Sequence, residues 1–348
     1  MRCFDLFHGR WTPSRVLSVA AGALAAVASM AAPMYAGTIT FGSGGNTFNM
    51  EFVTIGNPNN AADTTGSPNP AGAVAYEYGL GKFEVSEDMI TKFNASQSLQ
   101  ITKDTRGTNK PATNVSWNEA ARFVNWLNTS TGNQAAYKFT TSGVNDNIAL
   151  WTSGEAGYDV NNQYRNSLAK YFLPSYNEWY KAAFYDPSKS GGSGYWDYTI
   201  ASDSAPTPVA SGTTAGTAVY LQTEEQGPAN VNNAGGLGPY GVMGLGGNIH
   251  EWEESSFDLA NSSGSSDRGF RGGRWYNNPS SRLSSSDRFD AGPSLSGPDL
   301  GFRIASLSSS GPTTPVPGPL PLFGAAAALG WSCHLRSRIR RNANTLLK

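Results

Sequence analysis

The sequence predicts an α+β domain built of short strands, few helices and long ordered loops. Three observations carry this expectation. Three segments of the chain's interior combine a helix start signal with apolar residues at helical spacing. The opening stretch alternates with the period of a strand instead. Between Asp186 and Pro239 there is little periodicity and much Gly, Ser, Thr and Asn. A compact domain seldom keeps so long an irregular segment without a function or a ligand to hold it.

In chain order, Thr38–Phe52 reads as an opening strand or hairpin with Phe48, Met50 and Phe52 on one face. Gly56 to Pro70 is a turn-rich loop, and its Asp63 reads as solvated rather than as a cation ligand. Val74–Val85 reads as a pair of short strands. The first helix starts at Ser86, followed by Glu87 and Asp88 where the helix dipole favours acids. Met89, Ile90 and Phe93 form its buried stripe. Ser116-Trp-Asn-Glu119 and Ser175-Tyr-Asn-Glu178 are capping boxes. Ala120, Phe123, Val124 and Leu127 follow the first of them, and Trp179, Ala182 and Ala183 the second. Glu119 and Glu178 are declined as a catalytic pair, because a capping-box Glu already has a structural task.

The stretch Met243–Trp252 holds Gly244, Gly246 and Gly247, which allow positive φ and close backbone approach. Asn248, Glu251 and Trp252 follow. Such a turn can wrap oxygen ligands around a hard cation such as calcium. It can equally be a tight turn before a buried strand whose Trp is core.

The two ends read differently from the body. Residues 1–36 carry Arg2, Arg10 and Arg15, an Ala-rich apolar run and small residues ending at Ala36, the pattern of a secretory signal. A Ser/Pro/Gly linker over 307–315 leads to a tail over 316–348: Val316-Pro-Gly-Pro, a short apolar run, then Arg336, Arg338, Arg340 and Arg341. The run falls short of the roughly 20 residues that span a bilayer, and the arginines would stay cytoplasmic. Together these features resemble the PEP-CTERM sorting signal of Gram-negative bacteria, with Gly318 where that signal usually has Glu. The resemblance implies exosortase-type sorting machinery as a partner and transient membrane anchoring through this segment. It also implies export to the cell surface or extracellular matrix.

Setting the ends aside removes eight of 25 basic residues and one of 26 acids, leaving 17 against 25 and a net charge of −8. An acidic body argues against a nucleic-acid partner. Cys3 and Cys333 both lie in the ends, as do His8 and His334, so His250 is the remaining histidine. The body therefore has no disulfide, no Cys/His zinc site, no two-His iron site and no cysteine nucleophile. Carboxylates, amides, hydroxyls and carbonyls remain.

Six segments occur in an order that resembles the sulfatase-modifying factor family, which includes the formylglycine-generating enzymes. They are Gly81–Val85, Pro111–Trp117, Leu173–Trp179, Gly246–Trp252, Arg271–Trp275 and Leu300–Arg303. The resemblance covers the domain expected over 37–306 and implies a variant of the C-type lectin fold. It implies one calcium site from the Gly247 and Ile249 carbonyls and the Glu251 carboxylate, with Gly244 at the position of a side-chain ligand. It implies a second from Asn230 and the Val231 carbonyl. Formylglycine generation needs two copper-binding cysteines, whose positions fall on Asn277 and Arg282, so copper and that oxidase activity are not expected. Arg274, Tyr276, Asn277, Arg282 and Arg288 are the expected lining of a groove for a glycan or an extended peptide. Trp275, Arg271 and Arg303 suit a core Trp and internal ion pairs. His250, where the family usually carries Trp, reads as a packing substitution. The leading expectation is a non-catalytic binding module exported to the surface. An oxidoreductase or hydrolase using other groove residues, such as Asp287 with Glu251, is the alternative, and a purely structural polymer component is a third.

Overall fold

The computed structural model describes residues 37–277 and 279–307. The expected signal segment, the tail and all of the linker after Leu307 lie outside the described residues. Among those described, no helix is long and apolar enough to cross a membrane.

Strands β1 (Gly37–Phe41) and β2 (Phe48–Ile55) form the expected antiparallel hairpin. Phe48, Met50 and Phe52 alternate inward with period 2 and are all buried. Between Val74 and Val85 only one strand forms, β3 (Tyr78–Gly81), paired with β2. The expected second strand is replaced by a bend in which Lys82 N–H donates to the Glu51 carbonyl at 2.8 Å and Val85 N–H to that of Phe302 at 3.0 Å. The bend puts Glu84 wholly inside the protein.

Helices α1 (Glu87–Ser96), α2 (Trp117–Ser130) and α3 (Tyr176–Phe184) begin where their start signals fall. Both capping boxes close. Ser116 Oγ accepts from Glu119 N–H at 3.1 Å while Glu119 Oε2 accepts from Ser116 N–H at 2.9 Å. The corresponding distances at Ser175 and Glu178 are 3.3 and 2.7 Å. Asp63 is buried rather than solvated: Tyr180 donates its hydroxyl to Oδ2 at 2.5 Å, and Thr65 caps Oδ1 twice.

After α2 come β4 (Tyr171–Phe172), β5 (Tyr185–Asp186), β6 (Gly194–Tyr195), β7 (Thr207–Pro208) and β8 (Thr217–Ala218), each two residues long. The last four pair as β5–β6 and β7–β8, and with loop hydrogen bonds such as Gly212 N–H to the Asn233 carbonyl they order the irregular segment from within. Its order thus has an internal source. The chain ends in β9 (His250–Ser256), β10 (Arg268–Arg271), β11 (Phe289–Ala291), β12 (Leu300–Gly301) and β13 (Ala305–Leu307). One sheet runs β1-β2-β3-β13-β4 and the other β11-β10-β9-β12, with β12 parallel to β9.

All seven residues of β9 are buried, among them Glu251, Glu253 and Glu254. Buried carboxylates need partners, and each has at least one arginine. Arg303 engages Glu251 through Nε at 2.5 Å and through Nη2. Arg271 and Arg288 reach Glu253 through Nε at 2.6 and 2.8 Å. Burial opposes the charge of Glu253, yet Arg288 and Arg271 hold its carboxyl below the usual range. Arg165 lies 3.5 Å from Glu254, whose carboxyl burial pushes up to about 7 despite that arginine. Buried tryptophans fasten the helices to the same strand. Trp117 donates Nε1–H to the Glu253 carbonyl at 2.9 Å and Trp179 to Glu251 Oε2 at 2.8 Å. Trp252 is core, the second of the two readings of its motif.

Candidate functional site

Side chains alternate along β9, so His250 and Trp252 share one face and Glu251 and Glu253 the other. On the first face the register sets Leu300 beside His250, Phe270 opposite Trp252 and Phe289 opposite Phe270. Phe270 and Phe289 stack with ring centroids 5.5 Å apart, and His250 meets them edge-on at 5.2 and 5.4 Å. These rings floor an open cleft of about 420 Å³. Its rim is polar: Arg274, Asn277, Arg282 and Asp299, with Pro279. Arg274 donates to Asp299 Oδ2 at 2.5 Å and to the Tyr276 carbonyl at 3.2 Å. Arg282 lies over the Phe289 ring at 4.7 Å and donates to Asp287 Oδ1 at 3.3 Å.

His250 is 7% exposed and its backbone N–H donates to the Asp299 carbonyl. Burial lowers its pKa to about 4, against the pull of Asp299, so the ring is neutral at pH 7. Its Nδ1 is buried and has no hydrogen-bond partner among the described residues. The histidine expected as packing therefore also lines the cleft. Its position two residues before a core Trp on one strand was the signal for that.

Three of the five groove residues meet here: Arg274, Asn277 and Arg282. The other two do not line the cleft. Tyr276 packs behind the rim in a small cluster with Trp275, Ile249 and Val219, under the Arg274 guanidinium. Arg288 turns away to Glu253 and to the carbonyls of Phe257 and Ser256. Trp275 is core, and Arg271 and Arg303 form internal ion pairs. Asp287 and Glu251 do not form a catalytic pair, because Glu251 is sealed against Arg303 on the opposite face of β9.

The glycine turn tests the calcium expectation. Gly244 has φ +76°, and a Cβ there would sit 2.5 Å from Glu84 Oε1. Glu84 therefore takes the space that a longer residue at 244 would need. Asn248 holds Glu84 Oε1 with its Nδ2 at 2.9 Å and accepts from Ala229 N–H. Glu84 Oε2 is buried without a partner among the described residues, and burial, with Glu251 adding to it against Arg303, pushes the carboxyl up to about 7. Gly247 has φ +84° and would drive a Cβ into the Val219 carbonyl. Both oxygens of Glu251 are already engaged by Arg303 and Trp179. A guanidinium stands where the carboxylate would meet a metal, so Gly247, Ile249 and Glu251 do not fit a calcium ion in this arrangement. Asn230 and Val231 line separate hollows: the one holding Asn230 has the Lys110 ammonium and no carboxylate on its wall, and the one holding Val231 has Glu51 and Asp88. Copper fits no better: Asn277 and Arg282 offer an amide and a guanidinium, and no three His, Cys, Asp or Glu side chains among the described residues could share a metal.

The model of the sulfatase-modifying factor enzyme 1-like domain family matches residues 45–307, and the chain belongs to that family. Its fold is the family's α+β fold of few helices and curled sheets. Among solved structures it is similar to the Treponema denticola variable protein 1, at 18% identity over 78% of this chain and 99% of that one, with a TM-score of 0.49. It is similar to PvdO from Pseudomonas aeruginosa at 18% identity, over 78% and 98%, with a TM-score of 0.47. CarF is similar at 22% identity, over 67% and 87%, with a TM-score of 0.44. No curated protein matches the chain.

Proposed function

We propose that this protein is an exported binding module of the cell surface or extracellular matrix, whose cleft takes a glycan or an extended peptide without transforming it. One observation carries the reading. A cleft with an aromatic floor and a polar rim is lined by His250, whose buried Nδ1 has no hydrogen-bond partner among the described residues. A concave, largely apolar site with a few placed polar groups is the usual form of a ligand site. A buried polar atom left without a partner costs about 1–3 kcal/mol. The family resemblance sets Asn277 and Arg282, both on the rim, where formylglycine-generating enzymes carry their copper-binding cysteines, and an amide and a guanidinium can bind but not relay oxidation. Export rests on the sequence of the two end segments, and the exosortase-type machinery would be the partner there.

Glycan and peptide arrays probed with the labelled full-length protein test the reading, alongside Asn277→Ala and Arg282→Gln forms. Retention of a ligand class by the parent and its loss in both variants is the expected result. Equal retention by all three forms would place binding elsewhere. A complete lack of binding would favour a structural polymer component.

A further inference from the structure

We infer that two copies of this chain join through β1, edge to edge and antiparallel, so that their five-stranded sheets run on as one. The two sheets of the fold have four edges, formed by β1, β4, β11 and β12. A free edge is a row of unpaired N–H and C=O groups, and proteins guard such rows with short strands, charges or covering groups. Three of the four are guarded. On β4, Asn128 accepts from the Tyr171 N–H at 2.9 Å and donates to the Tyr171 carbonyl at 2.7 Å. β12 is two residues long, and a Cβ on its Gly301 would sit 2.3 Å from the Ala112 carbonyl, so backbone already covers it. β11 is three residues long and exposes Asp290.

β1 has none of these devices. It is five residues, Gly-Thr-Ile-Thr-Phe, without charge or proline. Among the described residues its backbone bonds only to β2, and a Cβ at Gly37 would meet nothing within 4 Å. The strand's own sequence selects the partner. Thr38-Ile39-Thr40 reads the same in both directions. In an antiparallel pair of copies turned about Ile39, Thr38 faces the partner's Thr40 and Ile39 faces the partner's Ile39. Thr–Thr and β-branched pairs of this kind stabilise a ladder. The faces match as well. Ile39 packs against the core and is half-buried, so its counterpart covers what it still exposes, while Thr38 and Thr40 lie outward. The charges agree too. Glu51 lies beside Thr38 and Asn49 beside Thr40, so each Glu51 shares its cross-strand row with the partner's Asn49 and not with the partner's Glu51. Such a self-matched contact closes as a two-fold dimer and leaves β1 no further edge to offer.

The test is sedimentation of the full-length protein from about 1 to 100 μM, a range suited to an interface below the standard size. Two double variants accompany it, Thr38→Lys with Thr40→Lys and Thr38→Glu with Thr40→Glu, each first checked by its melt. Both positions are exposed, so both variants should fold. The parent should pass from monomer to dimer within the range. Each variant alone sets like charges opposite one another twice and should weaken the dimer about tenfold or more. The equimolar mixture sets opposite charges face to face and should restore it. A parent that stays monomeric throughout would overturn the inference. Association that neither variant weakens would also overturn it, because the contact would then lie on another surface. A mixture no more associated than its components would do the same, because the loss would not come from antiparallel pairing of these two positions. The Lys form read against the parent decides the test if the acidic form, with Glu51 beside it, fails to fold. None of these outcomes bears on ligand binding in the cleft.

Discussion

Replacing Arg303 by Met should be among the most damaging single changes in the domain, and removing its partner as well should repair part of the damage. Arg303 is fully buried and gives both oxygens of Glu251 a donor. It also donates to the carbonyls of Gly81 and Met243 at 2.9 and 3.0 Å. Arg303→Met leaves the buried Glu251 carboxylate without its cation, at a cost of about 3–5 kcal/mol. The two carbonyls lose donors besides. Set against a typical stability of about 5–15 kcal/mol, that approaches unfolding. At roughly 2–4 °C per kcal/mol for a domain of this size, the melting midpoint should fall on the order of 10 °C. Glu251→Gln alone should cost less, on the order of 1–3 kcal/mol, because Glu84 remains as a counter-ion for Arg303. The double variant should be more stable than Arg303→Met alone by about 2 kcal/mol, since neutral Gln strands no charge. Urea unfolding of the four proteins measures the cycle. A double variant less stable than Arg303→Met would refute this account of the pair.

The other predictions concern caps, pH and metal. Ser116→Ala and Ser175→Ala should each cost about 1 kcal/mol in urea unfolding by removing a cap on an N-terminal N–H; no change in either would mean the boxes are decorative. Glu84 and Glu254 both have folded pKa values raised to about 7 from 4.5, so their contribution is full below about 4.5 and is lost as pH rises through 7. Asp63, Asp186 and Glu253 are shifted the other way, and their contribution is lost in acid. The melting midpoint should therefore decline from about pH 5 to 8, and less steeply in Glu84→Gln. A midpoint that rises over that range would contradict the assignment. Calcium at millimolar concentration should leave the midpoint unchanged, and a saturable rise reversed by chelator would show that Arg303 yields Glu251 to the ion.

The parts legible in the sequence were those decided locally. Ser116 with Glu119 and Ser175 with Glu178 announce helix starts because both hydrogen bonds of a capping box lie within three residues. The strand expected at the end of Val74–Val85 was lost to a distant partner: Glu84 turns inward to Asn248, 164 residues away. Within the arginine-rich stretch, nearness in sequence was mistaken for nearness in the groove. Arg288 and Phe289 are neighbours on the chain, but one reaches Glu253 and the other floors the cleft. The period of two along a strand separates them once the strand is known. The identity of Glu251 as ion-pair partner rather than metal ligand depended on Arg303, 52 residues on, and no local pattern shows which cation a carboxylate will meet.

The arginines around β9 also constrain how the molecule can be made. A ribosome delivers Glu251 first, then Arg271 and Arg288, and Arg303 last. Until Arg303 emerges, closing the strand into the interior would strand a charge, so the nascent chain gains little by collapsing early. The domain should thus close only once Arg303 is available. A fragment ending short of Arg303 should therefore remain an unfolded chain, which circular dichroism of the truncated protein checks.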